Sequence, residues 1–372
     1  MKVLVLAPFP PRGDGRHGGA RALASLHRRL AAHHQVVLLA LRRDGEPDVD
    51  PGLAALCEEV VVVERPLARS SPTALWTERR RMVDVLRGTP GWAVGTDVSA
   101  FHAAVGDTVA RHRPDLVHAE FAVMARYARD VNLPVVLTDH SVADDDLDDF
   151  RRSMYPSLSS VICFTERDAA ELRSIVDNDV HVIPLGVEIP AEPADDPRPE
   201  PALLFTGNFE HPPNIEALRR IVDGVLPAVH AHVPSAELVI VGGSPPQDLV
   251  DRPGVTAAGE VESVEPYLSA ATVVLGPVWS GGGMRVKVLE ALAAGKAVAS
   301  TSLGVDGLGL HPGEHAVVAD DEAGLAREVV GLLEDPARRR RIGAAGRAFV
   351  TERFSWDRIA PLYNDVYDEV TR

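Results

Sequence analysis

Short, nearly unbroken apolar runs recur along this chain, each followed by a turn rich in glycine or proline and then by helical periodicity. In the first half they fall at residues 2–7, 35–41, 60–63, 114–120, 134–140, 160–165 and 180–184. A strand apolar at consecutive positions must be covered on both faces, which helices achieve over a parallel sheet. Leu23, Leu26 and Leu30 supply such a helix after the first run. The plan restarts at 202–206 and continues through 237–241, 255–258, 272–275, 297–299 and 315–319. There Ile215, Leu218, Val222, Val225 and Val229 step by three and four, as a helix requires. With 372 residues the chain exceeds one ordinary core, so two doubly wound α/β domains are expected. Residues 188–201 carry five prolines and no apolar periodicity, and read as an extended linker. The expected domains are therefore 1–187 and 202–354.

Composition removes several function classes. A net charge of −16 argues against general nucleic-acid binding, so any anion must be gripped locally. Two cysteines, Cys57 and Cys163, make no disulfide framework and suit a reducing compartment. No apolar run has the length of a membrane span, and residues 1–7 run into prolines without a signal-peptide pattern, so a cytoplasmic location is expected.

Residues 279–295 carry the clearest chemistry. A buried strand precedes Gly281-Gly282-Gly283-Met284, a helix follows, and Gly295 closes it as a C′ residue. Three glycines leave backbone N–H groups open to a ligand, and the helix N-terminus behind them carries partial positive charge. Arg285 and Lys287 oppose that dipole, at a cost of about 0.3–1 kcal/mol each when exposed. An anion held between them would account for their position; a surface pair of Lys287 with Glu290 is the bland alternative. A second glycine turn, Gly18-Gly19, opens a helix after the first strand with Arg16, His17 and Arg21 around it. Its long proline-bearing approach differs from the G-x-G-x-x-G dinucleotide fingerprint. His118, Glu120 and His140 fall toward strand ends, where open parallel sheets collect ligands. Asp144 to Asp149 offer carboxylates for Mg²⁺ or Mn²⁺, but consecutive acids at a helix start suit the dipole better than a coordination shell. No metal is expected. Trp76, Trp92 and Arg79-Arg80-Arg81 lie in a less regular segment that reads as a solvated face or a loop near a second substrate.

Phe9-Pro10 with Gly18-Gly19, Thr138-Asp139-His140, residues 184–187, Phe205-Thr206-Gly207-Asn208 with Pro213-Asn214, and above all residues 277–295 resemble one family. The chain is similar over almost its full length to the family 4-type glycosyltransferases of the GT-B fold. That resemblance implies two Rossmann-like domains facing a central cleft, with a C-terminal helix of about 355–372 crossing back to the first. It implies retaining, metal-independent transfer of a sugar from a UDP- or GDP-sugar to an acceptor hydroxyl, with no cofactor beyond the co-substrate. Arg285, Lys287 and the Gly281–Gly283 amides would take the diphosphate, helped by Gly18 and Gly19. Glu290 would bind the ribose, Gly207, Asn208 and Met284 would border the donor, and Gly259 and Val261 its base. His140 would lie beside the sugar, while His17, His118 and Glu120 would face the acceptor, whether a glycan, a lipid-linked sugar or a small molecule. A transient contact with a membrane surface is compatible with such an acceptor. Two departures stand out: Gly282 occupies the family's first glutamate position, and Asn208 and His211 replace a common basic pair. A nucleotide-sugar epimerase of the same architecture and a non-catalytic nucleotide-sugar binder remain as alternatives.

Overall fold

The computed structural model describes residues 1–14, 18–65, 96–140, 147–194, 201–281 and 285–372. They form two compact units, one of Met1–Leu185 with Ile359–Arg372, the other of Gly186–Gly281 with Arg285–Arg358.

The first unit holds seven strands: β1 (Lys2–Ala7), β2 (Gln35–Arg42), β3 (Glu59–Glu64), β4 (Leu116–Glu120), β5 (Val135–Thr138), β6 (Ser160–Cys163) and β7 (Asp179–Val182). Their order is β3-β2-β1-β4-β5-β6-β7, and every pairing is parallel. The second unit repeats the scheme with β8 (Ala202–Thr206), β9 (Glu237–Val241), β10 (Val255–Gly259), β11 (Val273–Leu275), β12 (Val298–Ser300) and β13 (Val317–Val318). Here the order is β10-β9-β8-β11-β12-β13, again parallel throughout. Both units are doubly wound, as the apolar runs require. In each the winding reverses beside the first strand, between β1 and β4 and between β8 and β11, and such switch points at the strands' carboxyl ends are where open sheets collect ligands.

β1, β2, β4, β5 and β6 are almost wholly buried, as are Leu203, Leu238, Val273 and Val298 in the second sheet. The helix expected over 215–229 spans Pro212–Arg220 and Leu226–His230 with a π-helical turn, Ile221–Val225, between them. Pro227 cannot donate to the preceding turn, which accounts for the irregularity. A Cβ on Gly224 would come 2.8 Å from Glu322, so glycine here admits the Glu322–Glu334 helix.

Ala194 N donates to Ala294 O at 2.8 Å, and Arg347 donates to Pro190 O, so residues up to 194 are pinned to the second unit. The Asp148–Met154 helix starts with Asp148 and Asp149 in its first turn, the placement its dipole favours; Asp144 to Asp146 lie outside the described residues, as do Trp76, Trp92 and Arg79 to Arg81. The final helix, Trp356–Val370, buries Ile359, Tyr363, Val366 and Tyr367. Among the described residues no helix is long and apolar enough to cross a membrane.

Candidate functional site

In the second unit, the helix after β11 runs Val286–Ala293 with Arg285 as its N-cap and no acidic residue in its first turn. Gly281, at φ +80, turns the chain before it; a Cβ there would come 2.8 Å from Pro213, so the loop after β11 packs on the start of the Pro212–Arg220 helix. Ser280 donates to Glu216 across the same seam. Lys287 is half-buried. Its Nζ donates to Asn214 Oδ1 at 2.9 Å and lies 4.3 Å from the centre of the Phe205 ring. It thus turns across to the Pro212–Arg220 helix rather than along its own helix toward Glu290. Asn214 is fixed in turn, its Nδ2 donating to Asn208 O at 2.8 Å. Burial, and then the charge of Arg285, pull the Lys287 ammonium down to about 7. A half-buried cation facing an amide oxygen and an aromatic ring is poorly compensated, and an anion would relieve it.

Gly207 and Gly259 stand at the carboxyl ends of β8 and β10, and Gly242 N donates to Gly259 O at 2.8 Å. At φ +142, Gly242 would place a Cβ 1.7 Å from Gly207 O, so only glycine lets these turns close up. Asn208 is exposed, and Gly207, Val261 and Glu290 are half-buried. Gly282, Gly283 and Met284 lie outside the described residues.

In the first unit, β4 and β5 deliver a polar cluster into the interior. Glu120, the last residue of β4, is fully buried, with His140 Nε2 2.7 Å from Oε2 and His27 Nε2 2.8 Å from Oε1. Burial alone would raise this carboxyl, but the neighbouring His118 and the bonds from His140 and His27 outweigh it and hold it well below the usual range. His118 Nε2 lies 2.8 Å from Thr138 Oγ1 and its Nδ1 2.6 Å from Tyr367 OH. Burial pushes His118 down to about 4, against the pull of Glu120. His140 itself is 8% exposed. Beneath it, Asp139 accepts from Tyr155 OH at 2.6 Å and from Arg151 Nε at 3.1 Å. Gly18 and Gly19 open the Gly18–Ala31 helix that carries His27; His17 lies outside the described residues.

The structure thus brings His118, Glu120 and His140 into one cluster, and places Lys287 against Asn214 and Phe205 in another. His118 and Glu120 are fully enclosed, whereas His140 is 8% exposed. Sequence reasoning missed His27 and Tyr367, and with them Phe121, stacked on His140, and Tyr363, whose ring centre lies 5.7 Å from that of His118. His27 falls on the Leu23–Leu30 stripe, and a histidine at a core position was the available signal. Among the described residues, two groups bring three potential metal ligands within 4.8 Å: His27, His118 and Glu120, and His311, Glu314 and His315. The first group's facing atoms are engaged in hydrogen bonds; the second is a largely exposed turn before β13.

Comparison with known proteins follows the same division. A model described as Glycosyltransferase Family 4 matches residues 16–189, and one described as Glycosyl transferases group 1 matches residues 200–335. A phosphatidyl-myo-inositol mannosyltransferase of Mycobacterium tuberculosis (strain CDC 1551 / Oshkosh) is 31% identical over 187 residues, covering 47% of this chain and 48% of that protein. The chain thus matches about half the length of such curated relatives. Among solved structures, a sucrose-phosphate synthase from Thermosynechococcus elongatus superposes with a TM-score of 0.73 at 20% identity, covering 99% of both chains. Alr3699/HepE of Anabaena, in complex with UDP and glucose, gives a TM-score of 0.71 at 15% identity, covering 99% of this chain and 100% of that one. These likenesses give the fold, the two-domain GT-B arrangement of Rossmann-like units.

Proposed function

This chain belongs to the family 4-type glycosyltransferases of the GT-B fold, and from that premise we propose that it moves a sugar from a UDP- or GDP-sugar to an acceptor hydroxyl, with retention and without a metal ion. The observation that carries the reading is Lys287: a half-buried ammonium at a helix start, beside Arg285, facing no carboxylate among the described residues. As the bond from the sugar's anomeric carbon to the diphosphate breaks, its electron pair leaves with the diphosphate, where negative charge grows. Arg285, Lys287 and the helix N-terminus are assigned to that charge. Fixed donors of this type contribute about 3–4 kcal/mol each elsewhere. The acceptor oxygen then bonds to the anomeric carbon on the face the diphosphate vacates, and its proton passes to the departing phosphate oxygen.

Glu290, an acceptor-only group when ionised, is assigned to the ribose hydroxyls, and His140 to a hydroxyl of the transferred sugar. Similar proteins support the donor class: Alr3699/HepE binds UDP-glucose. The test is incubation of purified protein with UDP- and GDP-hexoses and candidate acceptors, with and without EDTA. Nucleotide release that depends on acceptor, survives EDTA and gives a product of unchanged anomeric configuration is expected. An epimerised donor, or binding with no release, would replace this reading by an epimerase or a non-catalytic binder. Activity abolished by EDTA and restored by Mn²⁺ would refute metal independence.

A further inference from the structure

We infer that Glu120 and Phe121 together position His140, fixing its ring proton on Nε2 and leaving Nδ1 as the nitrogen that meets a substrate hydroxyl. The identity of that substrate rests on the reading above; the choice of nitrogen does not. An ionised carboxylate only accepts hydrogen bonds, so both imidazoles on Glu120 must carry a proton at Nε2. In the neutral ring of His140 that leaves Nδ1 as the acceptor, and it is buried with no hydrogen-bond partner among the described residues. Buried polar atoms without partners are rare and call for an explanation. His27 shows the same pattern, but it is fully enclosed, whereas His140 sits just beyond the end of β5 with some exposure.

The ring is also prevented from turning. Phe121 stacks on His140 with centroids 3.9 Å apart and planes 9° from parallel, and Phe164 meets it edge-on at 5.0 Å. Phe121 achieves this at φ 67, ψ 142, a region that bulky residues avoid at a cost of order 1–3 kcal/mol. Its N–H donates to Thr138 O at 2.9 Å, which holds the unusual backbone in place. Strain of this kind persists where the surroundings impose it, and here it lays one aromatic ring flat on one imidazole. The support extends backward: His118 is held between Tyr367 OH at Nδ1 and Thr138 Oγ1 at Nε2, the latter on the strand that leads to His140. An apolar interior would serve stability at least as well as this ionic cluster, so its use here is better explained by the proton it fixes.

The test begins with ¹⁵N NMR of histidine-labelled intact protein, which needs no variant. His140 is expected as the Nε2–H tautomer, and an Nδ1–H tautomer would overturn the inference. Glu120→Gln then supplies a group with one acceptor and one donor, unable to accept from both imidazoles. It is expected to leave His140 as a tautomer mixture and to lower kcat on the order of 100-fold, within the range of general acid–base and orienting effects, with donor KM changed less than about threefold. Glu120→Gln that keeps the wild-type tautomer and kcat would refute the role. Absence of turnover by the wild type with every donor would sink the proposed function instead, while the NMR spectrum would still decide which nitrogen carries the proton.

Discussion

Replacing Lys287 by Met tests the donor site most directly, because the lysine's own titration reports the ligand. In the ligand-free protein its ammonium is held down at about 7, by burial first and by Arg285 second. A diphosphate beside it would favour the charged form, so binding must draw a proton from solvent wherever the ligand-free lysine is neutral. If the bound lysine stays charged through pH 9, uptake is about half a proton per donor at pH 7 and about 0.9 at pH 8. Affinity should be level below pH 7 and fall close to tenfold per unit above it, about 1.4 kcal/mol each. A nucleotide sugar is the right titrant, since its esterified diphosphate does not titrate in this range. Calorimetry in two buffers of different ionisation enthalpy, at pH 6, 7 and 8, gives the proton count directly. Zero uptake at pH 8, or equal uptake by Lys287→Met, would refute the argument. Stability of the ligand-free protein carries the matching sign. The unfolded lysine binds more protons between pH 7 and 10.5, so this residue makes stability rise with pH across that window. The slope is at most about 1.4 kcal/mol per unit and smaller for a part-exposed side chain.

Glu290→Ala should weaken nucleoside diphosphates by about 1.5–3 kcal/mol, the range for a hydrogen bond to a charged group, while leaving inorganic pyrophosphate unaffected; competition binding separates the two. Tyr367→Phe removes the partner of His118 Nδ1 and leaves a buried nitrogen unsatisfied, so a loss of about 1–3 kcal/mol is expected in chemical denaturation. Gly242→Ala places a methyl on Gly207 O at a φ that alanine resists, and should cost more than about 4 kcal/mol or prevent folding of the second unit, as read by circular dichroism.

What the sequence exposed and what it hid divide along physical lines. Strands were legible because a strand buried on both faces has to be apolar at successive positions, and β1, β2 and β5 are. The helix start at Arg285 was legible because cations stood where the dipole disfavours them, between the turns at Gly281 and Gly295. Partnership was not legible. Lys287 meets Asn214, 73 residues away, only because the sheet places β8 beside β11, and strand order leaves no mark in local periodicity. The first-unit cluster was hidden differently. His27 and Tyr367 occupy positions that read as core, since they fall on apolar helix faces. A buried polar side chain costs free energy unless it is paired, so each such position implies a partner elsewhere in the chain. Applied to His27, His118, Glu120, His140 and Tyr367 together, that rule assembles the cluster: five polar groups at core positions cannot be satisfied separately, and one carboxylate is the only member able to take protons from two imidazoles at once.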